Sequence, residues 1–128
     1  MKITLIRKLV AIALIGLFSQ FSLAQDNGAA VKDIADIVGS LLHFPSDEDK
    51  AKLMMIAENE SYPQGVRDMA TAVSNIAHST NAEGKEAMAR IMESDQAPDR
   101  NKTLAGVIAG LTHSASDDEK SSLAELFP

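Results

Sequence analysis

The chain of 128 residues contains no cysteine and no tryptophan, and only 4% of it is aromatic. Without cysteine there can be no disulfide, thiolate metal site, thiol nucleophile or lipid attached at a cysteine. Few aromatics also argue against a β-sandwich core. The apolar residues are Ile, Leu, Val, Met and Ala, which suit helix–helix packing. Basic residues are scarce as well, 12 against 18 acidic ones, for a formal net charge of −6. A surface of that sign repels nucleic acid and anionic lipid and would steer a basic partner inward.

The first residues read as a processing signal. Lys2, Arg7 and Lys8 precede the apolar or small run Leu9–Phe18, and Ser22-Leu23-Ala24 fits a small-x-small cleavage site before Gln25. The apolar core is too short for a membrane anchor, which needs about 20 residues. The expectation is a signal peptide over 1–24 and export to the periplasm or medium, with no stable membrane insertion after cleavage. Removing Lys2, Arg7 and Lys8 leaves 9 basic residues against 18 acidic ones, a mature net charge of −9. Residues 25–29 read as a flexible lead-in and 30–128 as a single domain.

Shifted by 35 residues, the mature sequence lies on itself without a gap. His43, His78 and His113, all the histidines of the chain, share one column, and Lys50, Lys85 and Lys120 share another. Small and apolar columns follow: Ala35/Ala70/Ala105, Ile34/Met69/Leu104, Val38/Val73/Ile108, Leu41/Ile76/Leu111, Leu53/Met88/Leu123 and Ile56/Ile91/Leu126. A period in this range marks stacked supersecondary units. Ile34, Ile37, Val38, Leu41 and Leu42 follow the spacing of one buried helical stripe. Ser46, Asn81 and Ser116 are N-cap residue types, with acids in the turn that follows and a capping-box pattern in Ser116 and Glu119.

The pattern therefore predicts an all-α protein, three αα-hairpin repeats at about 30–62, 63–97 and 98–128 stacked as a short solenoid. Its helices are expected over Ala30–His43, Asp47–Glu60, Pro63–His78, Ala82–Ser94, Pro98–His113 and Asp117–Leu126. A 35-residue helix pair resembles the tetratricopeptide repeat in architecture alone, because that family's Trp and Gly-Tyr signature has no counterpart in these columns.

Each histidine is expected to end a helix and to donate to free carbonyls there. Stacked helices lie about 8–10 Å apart, too far for three histidines to share an ion bound at about 2.0–2.1 Å, so neither metal nor cofactor is expected. Met69 and Met88 fall in core columns as fillers, which weakens a copper reading built on soft thioethers. Ser114 and Ser116 lie near His113 and Asp117 in sequence, but a catalytic triad converges from separate elements. No catalytic residue is assigned, and an enzyme is not expected.

Recurring side chains in line suit a binding face. The leading expectation is an exported, non-catalytic protein-interaction module, an adaptor or accessory subunit taking a protein or peptide partner. The alternative is an acidic immunity or inhibitor protein that neutralises a basic toxin or effector, with a small-molecule or metal carrier third. Candidate contact residues are His43, His78, His113, Lys50, Lys85, Lys120 and Phe127.

Overall fold

The computed structural model describes residues 27–128. The signal-peptide reading and its cleavage site fall outside them. Among the described residues there are six helices and no strand: α1 over residues 27–40, α2 Asp47–Glu58, α3 Gln64–Ser74, α4 Ala82–Glu93, α5 Asp99–Gly110 and α6 Asp117–Leu126. Residues 27–29, read as lead-in, already belong to α1. None of these helices is long and apolar enough to cross a membrane.

Three helices start where their caps predict. Ser46 Oγ accepts from the Asp49 N–H at 3.1 Å, Asn81 Oδ1 from the Gly84 N–H at 2.8 Å, and Ser116 Oγ from the Glu119 N–H at 3.2 Å. Glu119 Oε1 accepts in return from the Ser116 N–H at 2.9 Å, completing the capping box. Pro63 and Pro98 lie one residue outside α3 and α5, where a missing N–H costs nothing.

One apolar cluster joins all six helices. Its centre is formed by the columns read from the sequence: Ile34, Met69 and Leu104 are at most 1% exposed, and Val38, Val73 and Ile108 are fully buried. Leu41, Ile76 and Leu111 close the C-terminal ends of α1, α3 and α5. Gly84 permits one close approach in this cluster. A Cβ there would come within 2.7 Å of Thr80 Cγ2 and 3.2 Å of Ala72 Cβ.

The helices that precede the histidines are shorter than the pattern predicts. Helices α1, α3 and α5 stop at residue 40, Ser74 and Gly110, leaving His43, His78 and His113 beyond them. The C-cap positions of α3 and α5 belong to Asn75 and Leu111. Helix capping by histidine is therefore replaced by a different corner.

Candidate functional site: a crown of three histidines

Each corner is a short span held between two buried residues. Leu41 and Pro45 anchor the first, Ile76 and Thr80 the second, Leu111 and Ala115 the third. The three residues between each pair stand off the core, with a histidine at every tip. Thr80 is the polar member of this set and settles its hydroxyl by donating to the Ile108 carbonyl. Bridging so short a span reverses the chain sharply. The Phe44 N–H donates to the Leu42 carbonyl at 2.7 Å and the Ser114 N–H to the Thr112 carbonyl at 2.7 Å, with an equivalent bridge between Ala77 and Ser79.

The tip residues carry the cost of that reversal. His43, His78 and His113 have φ of 64°, 72° and 62°, and they are the non-glycine residues with positive φ among those described. A side chain in this region costs on the order of 1–3 kcal/mol, and glycine would adopt it freely. Histidine enters it more readily than most residues, yet no corner uses glycine or asparagine.

The three tips meet. The His43 N–H donates to the His113 carbonyl, the His113 N–H to the His78 carbonyl, and the His78 N–H to the His43 carbonyl, at 2.5, 2.5 and 2.7 Å. This is a closed cycle in which each tip donates once and accepts once. It joins the first corner directly to the third, which a file of stacked corners would hold apart.

The side chains converge with the backbone. Ring centroids are 5.3 Å apart for His43 and His78, 5.0 Å for His43 and His113, and 5.3 Å for His78 and His113, with interplanar angles of 65°, 79° and 69°. The Nδ1 atoms of His43 and His113 are 3.0 Å apart. One ligand atom from each ring lies within 4.8 Å of those of the other two. The expectation that helices about 8–10 Å apart would keep the rings from sharing an ion is thus corrected, because the three tips are joined directly to one another. All three rings remain exposed to solvent.

The other candidates lie apart from the crown. Lys50, Lys85 and Lys120 are exposed, and their N–H groups make the first helical bonds to Ser46, Asn81 and Ser116. No hydrogen bond or ion pair joins their side chains to the histidines among the described residues. Phe127 is only 4% exposed and packs in the core with the Arg100 guanidinium 5.3 Å above its ring. That burial leaves it no free face for a partner. Leu42 and Phe44, 68% and 58% exposed, flank His43. Leu42, expected in the buried stripe of the first helix, instead lies beyond the helix end at residue 40 and faces solvent, and Phe44 has no role in the sequence pattern. The signal that could have found them is their place between the Leu41 anchor and Pro45.

A cavity of about 590 Å³ lies between the N-terminal ends of α1, α3 and α5 and the C-terminal end of α4, lined in part by Asn27, Arg90, Arg100 and Asn101. Its lining includes Ser94 and Asp68 but no histidine that could act as the base between them. Compared with known proteins, the chain matches no family model, no curated protein and no solved structure.

Proposed function

We propose that this chain is an exported, non-catalytic binding protein, an adaptor or accessory subunit that works through the face carrying His43, His78 and His113. Its body is read as three copies of one two-helix unit. Supporting that reading, α2, α4 and α6 start at Asp47, Ala82 and Asp117, a spacing of 35 residues, each behind a side-chain cap of the same geometry. The backbone cycle that joins the first corner to the third favours a closed arrangement of these units over an open row.

The observation that carries the function is the conjunction at the tips. Three strained backbone positions are all histidine, all exposed and all in mutual contact. The backbone at these tips does not require an imidazole, since glycine and asparagine adopt it too, which supports reading the rings as a binding feature. The exposed pair Leu42 and Phe44 favours an apolar contribution to docking beside the crown over attraction by charge alone.

The test is capture of partners from the native host with the mature chain and with a variant carrying His43→Asn, His78→Asn and His113→Asn. Asparagine tolerates the left-handed backbone, so the corners persist while the imidazoles are removed. A partner retained equally by both proteins would refute the assignment to this face. Export is checked separately by finding an N-terminus at Gln25 in the secreted or periplasmic fraction.

A further inference from the structure

We infer that His43, His78 and His113 form a three-imidazole site for one divalent transition-metal ion of the zinc class, leaving a further coordination position open to solvent. The inference deepens the reading above by naming the ligand of the same face, but it does not require a protein partner.

The argument is metric. Zinc–imidazole bonds are about 2.0–2.1 Å long, and tetrahedral coordination then sets the ligand nitrogens about 3.3 Å apart. An imidazole centroid lies about 1.1 Å behind its nitrogen, so three tetrahedral ligands place their ring centroids about 5.2 Å apart. The observed centroids form a nearly equilateral triangle of 5.0, 5.3 and 5.3 Å. Three mutually perpendicular positions of an octahedron would bring them closer, to about 4.5 Å. The triangle of ring centroids therefore has the dimensions expected of three ligands of a tetrahedral site.

The ligand nitrogens are close together but not yet at the tetrahedral spacing. Nδ1 of His43 and Nδ1 of His113 are already 3.0 Å apart, and the ligand-atom set including His78 spans no more than 4.8 Å. The remaining difference is within the reach of side-chain rotation at exposed rings. Without an ion, the His43–His113 contact requires one ring to offer an N–H and the other a lone pair. A metal replaces that shared proton and engages lone pairs from all three rings.

Preorganisation comes from the backbone. The hydrogen-bonded cycle ties the three tips together, and the rings they carry stand with centroids no more than 5.3 Å apart. Donor chemistry narrows the ion. Three neutral nitrogens suit Zn(II), Cu(II), Ni(II) or Co(II), whereas Mg(II) and Ca(II) need oxygen ligands. No carboxylate joins the three-residue ligand group, which consists of histidines alone.

The experiment uses the mature chain stripped with a chelator and titrated calorimetrically with Zn(II), with Mg(II) as the control. The expected result is one Zn(II) per chain and no heat from Mg(II). Each of His43→Asn, His78→Asn and His113→Asn should weaken Zn(II) at least ten-fold, and the triple variant should abolish uptake while its circular dichroism stays helical. Co(II) serves as a spectroscopic probe. Intense visible bands of four-coordinate cobalt support the site, and the weak spectrum of six-coordinate cobalt overturns its geometry.

Absence of Zn(II) uptake, or uptake unchanged in the triple variant, overturns the inference. Failure is distinguishable from failure of the partner reading. Partner capture that persists without any metal uptake sinks only the metal site, and stoichiometric Zn(II) uptake without a captured partner sinks only the adaptor.

Discussion

His43 and His113 are separated by 70 residues in the chain, yet their Nδ1 atoms stand 3.0 Å apart. In the metal-free protein this is a hydrogen bond between two exposed rings, and its contribution should be modest. A double-mutant cycle with His43→Asn and His113→Asn, read by chemical denaturation, is expected to give a coupling of about 0.5–1 kcal/mol. A coupling of zero would mean that the two rings do not meet in solution.

The left-handed tips give a second prediction, in the opposite direction from most substitutions. Replacing His78 (φ 72°) with glycine removes a backbone strain of about 1–3 kcal/mol and adds about 0.5–1 kcal/mol of unfolded-chain entropy. His78→Gly should leave stability unchanged or raise it by up to about 2 kcal/mol. His78→Val, branched at Cβ and unsuited to positive φ, should lower it by more than about 1 kcal/mol. Urea midpoints of the two variants, compared without metal, decide the matter.

Gly84 is expected to resist enlargement although alanine is the better helix former. The added Cβ would meet Thr80 Cγ2 at 2.7 Å and Ala72 Cβ at 3.2 Å. Overpacking of this kind costs about 1–3 kcal/mol, against a helix-propensity gain of about 1 kcal/mol. Gly84→Ala should thus be destabilising. Adding Thr80→Ser, which removes Cγ2 and keeps the hydroxyl that bonds the Ile108 carbonyl, should recover part of the loss. Thermal unfolding of the single and double variants reads the difference.

The buried columns predict a contrast within one helix. Leu53 in α2 is fully buried, and Leu53→Ala should cost about 2–5 kcal/mol. Met55, two residues on and 74% exposed, should change stability by less than about 0.5 kcal/mol on replacement by alanine. Equal losses at both positions would show that α2 packs with a different face.

The capping box of Ser116 and Glu119 should stabilise the start of α6. Ser116→Ala removes the acceptor for the Glu119 N–H and should cost about 1 kcal/mol. Loss of amide protection in α6 by hydrogen exchange, with α4 unchanged, locates the effect.

The core was legible from the sequence because burial acts through one simple rule. Ile34, Val38 and Leu41, with their counterparts 35 and 70 residues on, had to be apolar and helically spaced, and they are buried. The caps were legible for a similar reason, since Ser46, Asn81 and Ser116 act within one turn of their own position. The crown depends on how separate corners turn toward one another, which no local periodicity encodes. Asn75 and Gly110, residue types that end helices, mark the stops of α3 and α5 ahead of the histidines. The histidines lie past those stops and so are not helix caps, and their tips bond to one another instead of standing in file, which brings the rings within reach of one ion.

The cycle of bonds among His43, His78 and His113 also bears on how the molecule comes apart. An open array can fray from either end, one module at a time, because its outermost member has a single neighbour. Here the first and last corners hold each other, so loosening either one also withdraws a partner from the opposite end of the chain. Melting should therefore be an all-or-none event.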